Sequence, residues 1–253
     1  MVEYGLIGRG ISHSFSGRFF NDKFQKEGIP AQYLHFDLQH ISQLQSILDS
    51  HPDLHGLNVT SPYKREVISF LDDLSPEARS MNAVNVIEFM RDSQGGLKGL
   101  KGHNTDFGGF NLSLEKLLGS EKPKALILGT GGAASAVEFV FRKAGIDYFI
   151  VSRTPGKGKI TYEECNKRLS DCRLIVNATP VGMFPHVDEC PDLDYSQLTS
   201  RHICYDLIYN PEETLFLKNA KSRGVVIKNG LEMLTNQAIL AWEIWNNKVE
   251  NQQ

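Results

Sequence analysis

The segment GLNVTSPYK, at residues 56–64, ends an apolar run with an amide, a hydroxyl and an ammonium group. Asn58, Thr60 and Lys64 follow what reads as a buried strand, and buried polar groups cost free energy unless they have partners. These side chains can donate hydrogen bonds to a hydroxylated ligand, and a lysine can supply a proton or a fixed positive charge. The segment therefore predicts either a solvated turn or one side of a polar ligand site.

Other segments in the first half of the chain also gather small polar groups. GRGISHSFSGRFF places Ser12, Ser14 and Ser16 before a Phe-rich helix, where hydroxyls and helix amides can hold a carboxylate. Taken singly, these serines are better explained as helix N-caps, and Asp106 can also be a helix cap. Further amide, hydroxyl and carboxyl groups follow at Asn82, Asn85, Asn104, Thr105 and Asp106.

The first hundred residues alternate β-rich and amphipathic runs, the pattern of βαβ units around a mostly parallel sheet. The predicted strands are EYGLIG, QYLHFDL, LHGLNVT and AVNVIEF, and the predicted helices cover residues 15–27, 40–50 and 63–71. RDSQGGLKGLKG is predicted as turns, before a helix from Asp106 to Leu118 and a linker, GSEKPK. Since ligands bind beyond the carboxyl ends of strands in such sheets, we expect the polar groups to meet in a site for a polyhydroxylated carboxylic acid.

A second α/β series starts after Lys124, with predicted strands in ALILG, YFIVSR, RLIVNAT, HICYDLIY and GVVIKNG. Its helices are predicted up to Ala144, near 161–169 and over Thr214–Arg223. The last predicted helix is amphipathic and should dock on the first domain or at the domain junction. Its apolar stripe is Leu231, Leu234, Ala238, Ala241, Trp242 and Trp245. The predicted fold class is two α/β domains: residues 1–104, completed by a C-terminal helix at 232–253, and a Rossmann-like domain at 105–231.

The segment ALILGTGGAAS places Gly129, Gly131 and Gly132 between a strand and a helix. Glycines there let the backbone approach a pyrophosphate, whose charge rests on the helix N-terminus, and Ala134 satisfies the third position of the motif. The next strand ends in VSRTPGKGK, where NAD-binding proteins usually carry a carboxylate for the ribose. Arg153 instead suits a 2′-phosphate. We therefore predict NADP as cofactor, with a structural turn and a solvated basic loop as the alternatives.

The composition excludes several classes of partner. The 253 residues carry a formal net charge of −3 with a pI near 6.2. This charge does not indicate binding to nucleic acid or to an anionic membrane surface. No apolar run approaches the roughly 20 residues that span a bilayer, and the amino terminus does not read as a signal peptide. We expect a cytoplasmic protein with small-molecule partners. Four scattered cysteines and eight scattered histidines predict free thiols and no metal site.

Several ordered blocks resemble the shikimate dehydrogenase family, and the resemblance runs through nearly the whole chain. SHSFS is similar to the family's carboxylate loop, GLNVTSPYK to its G-x-N-V-T-x-P-x-K signature, and NTD to the segment with its catalytic aspartate. GTGGAAS with SRT resembles its NADP loop and Asn-Arg-Thr clamp. NATPVGM, YDLIYNPEETLFL and GLEMLTNQA are similar to later blocks. The resemblance implies interconversion of 3-dehydroshikimate and shikimate, a step of chorismate and aromatic amino acid biosynthesis, by a monomer or homodimer.

The resemblance also implies roles for particular residues. Ser14 and Ser16 would hold the substrate carboxylate, and Lys64 and Asp106 would lie at the reacting carbon. Residues expected around the substrate hydroxyls and ring are Asn58, Thr60, Asn85, Tyr209 and Gln237. Residues expected to line the NADP groove are Gly129, Gly131, Gly132, Ala133, Ser152, Arg153, Thr154, Lys157, Thr179, Leu207 and Gly230. Lys64 would act either as the acid and base for the alcohol proton or as a fixed charge beside the developing oxyanion.

Some positions depart from the family pattern. Gly17 replaces a proline, Asn82 and Val86 replace the Gly and Thr of G-A-x-N-T, Ser152 replaces the Asn of the clamp, and Phe107 stands where glycine is frequent. Two alternatives to a shikimate dehydrogenase remain open at this point. One is a quinate/shikimate dehydrogenase with broader substrate or cofactor use. The other is a non-catalytic protein that senses a shikimate-like metabolite.

Overall fold

The computed structural model describes residues 1–11 and 14–246. The chain divides into two compact units. The first unit comprises Met1–Thr105 and the chain from Gln237 onward, and the second comprises Asp106–Asn236. Each unit has its own six-stranded sheet with apolar clusters packed against it. The predicted α/β class is confirmed.

The first unit is built on a mixed sheet in the order β2-β1-β3-β5-β6-β4. Its strands are β1 Val2–Gly8, β2 Ala31–Asp37, β3 Leu54–Val59, β4 Asp73–Leu74, β5 Val86–Arg91 and β6 Leu97–His103. Its helices before the boundary are α1 Phe15–Glu27, α2 Leu44–Ser50 and α3 Pro76–Met81, with 3-10 turns at Ile41–Gln43 and Glu66–Phe70. β1 pairs in parallel with β2 and β3, and β4 with β6, whereas β5 is antiparallel to β3 and β6. The sheet is thus mostly parallel, as predicted.

Two predictions in the first unit are wrong. The helix expected at 63–71 is a turn followed by the 3-10 helix Glu66–Phe70, and the turns expected in RDSQGGLKGLKG include strand β6. Glycine weakens a strand signal, but here its small size is required. A Cβ on Gly99 would lie 2.8 Å from the Asp72 carboxylate, and one on Gly102 would lie 2.6 Å from Leu71 Cδ1. The glycines therefore let neighbouring side chains pack against β6.

The second unit has a fully parallel sheet in the order β12-β11-β10-β7-β8-β9. Its strands are β7 Ala125–Leu128, β8 Tyr148–Val151, β9 Lys159–Ile160, β10 Leu174–Asn177, β11 Ile203–Asp206 and β12 Val226–Lys228. Its helices are α4 Asp106–Leu118, α5 Gly132–Ala144, α6 Tyr162–Asn166 and α7 Leu215–Lys221, with 3-10 turns at Leu169–Asp171 and Tyr195–Gln197. The strand order reverses between β7 and β10. That reversal creates a crevice beyond the carboxyl ends of these strands, where open α/β sheets bind ligands.

The last helix, α8, covers Leu231–Trp245, and the unit boundary falls within it. Its second half packs on the first unit, as predicted: Ala238 and Ala241 are fully buried, and the Trp245 ring lies 4.9 Å from Tyr4 and 5.2 Å from Phe20. Trp245 Nε1 donates to the Ile87 carbonyl oxygen at 3.1 Å. The predicted stripe is not buried throughout, because Leu231 is 44% exposed. Residues 247–253 of the predicted helix lie outside the described residues.

Gly56 leaves the space in which the Trp245 side chain packs against the sheet. A Cβ on Gly56 would overlap the Trp245 indole, so the glycine of GLNVT gives the ring the space it occupies against β3. Overpacking of this kind costs roughly 1–3 kcal/mol. We expect Gly56→Ala to lower the free energy of unfolding by about that amount, measured by urea denaturation.

The matched control is Gly156→Ala in an exposed loop. An added Cβ there meets only Lys159 Cδ, at an ordinary 3.7 Å. Equal stability of the two variants would show that Gly56 does not create the space for Trp245.

Candidate functional site

A buried chain of polar groups lies in the first unit. The Tyr33 hydroxyl donates to Asn58 Oδ1 at 2.6 Å. Burial raises the pKa of Tyr33 well above its ordinary value, although the nearby Ser16 side chain opposes this shift. Tyr33 therefore stays protonated and donates its hydrogen to the carboxyl end of β3.

The same network continues beyond Asn58. Asn58 Nδ2 donates to the Asn85 carbonyl oxygen at 3.3 Å, and Asn85 Oδ1 accepts the Thr105 backbone N–H at 2.7 Å. Asn85 Nδ2 donates to Thr105 Oγ1 at 3.1 Å and to Gln237 Oε1 at 3.4 Å. These four side chains are each less than a tenth exposed. The network thus joins three of the predicted substrate residues, Asn58, Asn85 and Gln237.

Ser14 caps helix α1, and its Oγ accepts the Ser16 backbone N–H at 3.2 Å. The cap does not compete with a ligand role, because a hydroxyl that accepts one bond still carries a hydrogen to donate. Ser12 lies outside the described residues. The departure at residue 17 also has a structural reason: a Cβ on Gly17 would overlap the His35 ring, which occupies that space.

Thr60 and Lys64 lie on the turn that follows β3. The Thr60 backbone N–H donates to the Ile7 carbonyl oxygen at 2.9 Å, and the Lys64 carbonyl oxygen accepts from Val84 N at 2.7 Å. Between them, the fully buried Tyr63 donates from its hydroxyl to the Leu38 carbonyl oxygen at 2.7 Å. Both Thr60 and Lys64 are partly buried. The turn is therefore anchored on both sides, which limits the positions that these side chains can reach.

Two departures beside Asn85 are explained by backbone and packing. Asn82 ends α3 with φ 49°, a left-handed conformation that asparagine tolerates better than most non-glycine residues. Val86 is fully buried in an apolar cluster with Tyr4 and Trp245, and it pairs with Asn58 across β3 and β5. Asn82 thus adopts a conformation that glycine also adopts readily, and Val86 is a core residue.

The glycine-rich turn of the second unit lies at the carboxyl end of β7. Gly129 has φ 109°, a conformation that favours glycine, and a Cβ there would lie 2.9 Å from Thr179 Cγ2. A Cβ on Gly131 or Gly132 would meet no atom of the described residues within 4 Å, so the backbone faces open space. Gly131 begins α5 without a side-chain cap. Helix amides exposed in this way are an anion-binding site, which fits a pyrophosphate.

The loop after β8 carries the predicted clamp. Ser152 Oγ accepts the Thr154 backbone N–H at 3.1 Å, the same turn-closing bond that an asparagine side chain forms. Arg153, Thr154 and Lys157 are exposed. Burial raises the pKa of Tyr162 to about 12, and the positive charge of Arg153 opposes the shift, which places the guanidinium within electrostatic reach of Tyr162. The loop residues 152–161 include no carboxylate, so the charge fits a 2′-phosphate.

A buried carboxyl group, which the sequence reasoning missed, organises the ends of β10 and β11. Asp206 is fully buried and accepts hydrogen bonds from Thr214 Oγ1 at 2.6 Å, the Ile208 backbone N–H at 3.0 Å and Asn177 Nδ2 at 3.1 Å. Asn177 Oδ1 in turn accepts from Thr179 Oγ1 at 2.6 Å. Burial raises the pKa of Asp206 to about 6, although these hydrogen bonds oppose the shift. The network fixes Thr179, a predicted cofactor residue.

The remaining predicted residues of the second unit follow β11 or begin helices. A Cβ on Gly230 would overlap the Leu207 carbonyl oxygen, so these two backbones approach closely. Tyr209 is 38% exposed, and burial of the rest of the ring raises its pKa. Asp106 is the first residue of α4, where a negative charge is favoured by the helix dipole. Ala133 is exposed in the first turn of α5.

Within residues 1–11 and 14–246, no helix is long and apolar enough to cross a membrane. In the same residues, His, Cys, Asp and Glu side chains do not gather in groups of three that could hold a metal ion.

The parallel sheet, its strand order and the glycine-rich turn define a Rossmann-like unit joined to a second α/β unit. Residues 6–87 match the family model of the shikimate dehydrogenase substrate binding domain. The chain is 38% identical over 258 residues to the shikimate dehydrogenase (NADP(+)) of Carboxydothermus hydrogenoformans, covering 95% of this chain and 90% of that relative. The chain belongs to the shikimate dehydrogenase family, which confirms the resemblance.

Two solved structures give the same fold with different ligands. Shikimate 5-dehydrogenase from Thermus thermophilus, in complex with NADP(H) and shikimate, is 31% identical with a TM-score of 0.83, covering 98% of this chain and 94% of that one. Quinate dehydrogenase from Corynebacterium glutamicum, in complex with NAD, is 26% identical with a TM-score of 0.85, covering 97% and 94%. The same fold thus serves a shikimate dehydrogenase and a quinate dehydrogenase, so the fold alone does not set the substrate.

Asp206 gives the protein a specific pH dependence. The carboxyl has an ordinary pKa of 3.8 in the unfolded chain and about 6 when folded, so between these values the folded state holds a proton that the unfolded state has lost. This contribution to stability is present below about pH 4 and disappears as the pH rises through 6. We expect the free energy of unfolding of the wild type, relative to Asp206→Asn, to fall by about 2–3 kcal/mol from pH 4 to 7.

Urea denaturation of both proteins at each pH measures this difference. The comparison removes the titration of all other groups, which the two proteins share. Stability curves that run parallel across the range would contradict the raised pKa.

Proposed function

We propose that this chain is an NADP-dependent shikimate dehydrogenase that interconverts 3-dehydroshikimate and shikimate. The observation that carries the proposal is the buried network from Tyr33 through Asn58 to Asn85 and Gln237. It lies in the unit that matches the substrate binding domain of the family, and it presents hydroxyls and amides of the kind that bind a polyhydroxylated carboxylate. We accordingly assign substrate binding to the first unit and cofactor binding to the second.

The predicted substrate residues, of which all but Tyr209 belong to the first unit, divide the substrate between them in this proposal. Ser14 and Ser16 hold the carboxylate with their hydroxyl hydrogens, and the amides of Asn58, Asn85 and Gln237 bond the ring hydroxyls. Thr60 and Tyr209 complete the surroundings of the ring. The Asn58 amide is bonded to the Asn85 backbone carbonyl oxygen, and the Asn85 amide is bonded to Gln237. These amides therefore meet the substrate in fixed orientations and lose little side-chain entropy on binding.

The second unit fits NADP by three observations: the open space at Gly131 and Gly132, the uncapped start of α5, and a basic loop without a carboxylate after β8. Bound NADP accepts a hydride and NADPH donates one. Gly129, Gly131, Gly132 and Ala133 would hold the pyrophosphate, and Ser152, Arg153, Thr154 and Lys157 would hold the adenosine phosphate. Thr179, Leu207 and Gly230 would line the remainder of the groove.

Lys64 and Asp106 handle the proton of the reacting hydroxyl in this proposal. Lys64 either takes and returns that proton or holds a positive charge beside the oxygen as it becomes an alkoxide. Asp106 accepts a hydrogen bond from the substrate and orients the hydroxyl. The anchored turn that carries Lys64 supports this assignment, since a catalytic group must be held near its productive position.

Two other functions remain as candidates. A quinate dehydrogenase is favoured by the likeness to the Corynebacterium glutamicum structure, but Arg153, with no carboxylate nearby in residues 152–161, argues for NADP over NAD. A non-catalytic metabolite sensor would bind the same ligand without needing Lys64 and Asp106, both of which the chain retains.

The deciding experiment gives the purified protein shikimate or quinate with NADP or NAD, in all four combinations, and follows the absorbance of the reduced cofactor. We expect rapid turnover with shikimate and NADP, and weak or no turnover in the other three mixtures. Turnover with quinate or with NAD at a comparable rate would replace the proposal by a quinate/shikimate dehydrogenase. Binding without turnover in every mixture would support the sensor.

Lys64→Ala tests the catalytic assignment. Loss of a group that transfers a proton or stabilises the oxyanion should lower kcat by roughly 10²- to 10⁴-fold. The dissociation constant for NADPH, measured by fluorescence titration, should stay within about twofold of the wild type, since Lys64 belongs to the first unit. Arg65→Ala is the matched control, because Arg65 is the next residue and an exposed cation. A kcat that falls equally in both variants would remove Lys64 from the mechanism.

A further inference from the structure

Tyr33 is fixed by hydrogen bonds of its backbone and by stacking of its ring. Its backbone N–H donates to Asn21 Oδ1 at 3.0 Å, and its carbonyl oxygen accepts from Asn21 Nδ2 at 3.2 Å. Its ring stacks on Phe20, with centroids 4.8 Å apart and planes 11° apart. The side chain is 4% exposed. Backbone and ring are therefore fixed independently of the hydroxyl, which is free to serve a purpose other than packing.

The Tyr33 hydroxyl determines the orientation of the Asn58 side-chain amide. A protonated phenol donates one hydrogen bond, and Tyr33 gives this bond to Asn58 Oδ1 at 2.6 Å. The oxygen end of the amide must then face Tyr33, and the nitrogen end must face the opposite way. One N–H of Asn58 Nδ2 goes to the Asn85 carbonyl oxygen at 3.3 Å, so the second can be donated to a ligand hydroxyl. If the Tyr33 hydroxyl is removed, Asn58 Oδ1 loses its donor and the Asn58 amide can rotate by half a turn.

We propose that Tyr33 is a positioning residue for substrate recognition, which orients the Asn58 amide through its own hydroxyl group. This inference rests on the proposed function for the identity of the ligand. The orientation of the Asn58 amide does not depend on that function. The chain offers a matched control in Tyr205, which is also fully buried and donates its hydroxyl hydrogen to Ser113 Oγ at 2.8 Å, in the core of the second unit.

The experiment compares Tyr33→Phe with Tyr205→Phe. Each variant keeps the ring and loses one buried hydrogen bond, so both should unfold at a slightly lower temperature than the wild type. Only Tyr33→Phe should raise the KM and the dissociation constant for shikimate, by about 3- to 10-fold, which is the value of one hydrogen bond. The NADP dissociation constant should be unchanged in both. An unchanged shikimate KM in Tyr33→Phe, or an equal rise in Tyr205→Phe, would overturn the proposal.

A second measurement does not depend on turnover. The side-chain amide signals of Asn58, assigned by their loss in Asn58→Ala, are followed by ¹⁵N–¹H NMR without ligand. They should shift in Tyr33→Phe and stay in place in Tyr205→Phe. Signals that stay in place in Tyr33→Phe would overturn the proposal even if the enzyme is active. If the wild type shows no turnover, the proposed function fails while these signals still decide whether Tyr33 orients Asn58.

Discussion

The site depends on the hydrogen bond between the Tyr33 hydroxyl and Asn58 Oδ1. An amide at the end of a buried strand is costly unless it is satisfied, and this bond satisfies it with a group that cannot ionise in the ordinary pH range. Asn85, Thr105 and Gln237 then join the same network. The second unit meets the same constraint differently, since Asn177 is bonded to a buried carboxyl group, Asp206. In each unit, a buried polar group therefore fixes the orientation of an asparagine side chain at the carboxyl end of a strand.

Close backbone approach is the second requirement, and three glycines meet it. Gly56 gives space to the Trp245 indole, Gly8 gives space to the Thr60 methyl group, and Gly230 lies against the Leu207 carbonyl oxygen. Each pair joins a motif to an element distant in the sequence or to a predicted site residue. The glycines of these motifs are therefore explained by contacts within the fold as well as by ligands, and any larger residue would displace the partner.

The sequence predicted those parts of the fold whose signal is local. Helix α1 follows from phenylalanines at helical spacing, and the glycine-rich turn follows from a strand and a helix on either side of it. Strand β6 was missed because its glycines, which are needed for packing, read as turns. Tyr33 and Asp206 were missed for a different reason: an aromatic residue or a carboxyl in a strand gains its role from partners on other strands, 25 and 29 residues away. Such partners are set by sheet register, which local periodicity does not give.

Most departures from the family pattern have a local structural reason. Asn82 ends α3 in a left-handed conformation, Ser152 closes the turn before Thr154, and Gly17 makes room for the His35 ring. Val86 is different in kind, because it replaces a hydroxyl by a methyl group in an apolar cluster directly across the sheet from Asn58. A valine there can neither bond a ligand nor reorient the amides beside it. In the proposed function, discrimination between hydroxyl patterns on a ring therefore falls to Asn58 and Asn85, whose amides are bonded to Tyr33 and Thr105.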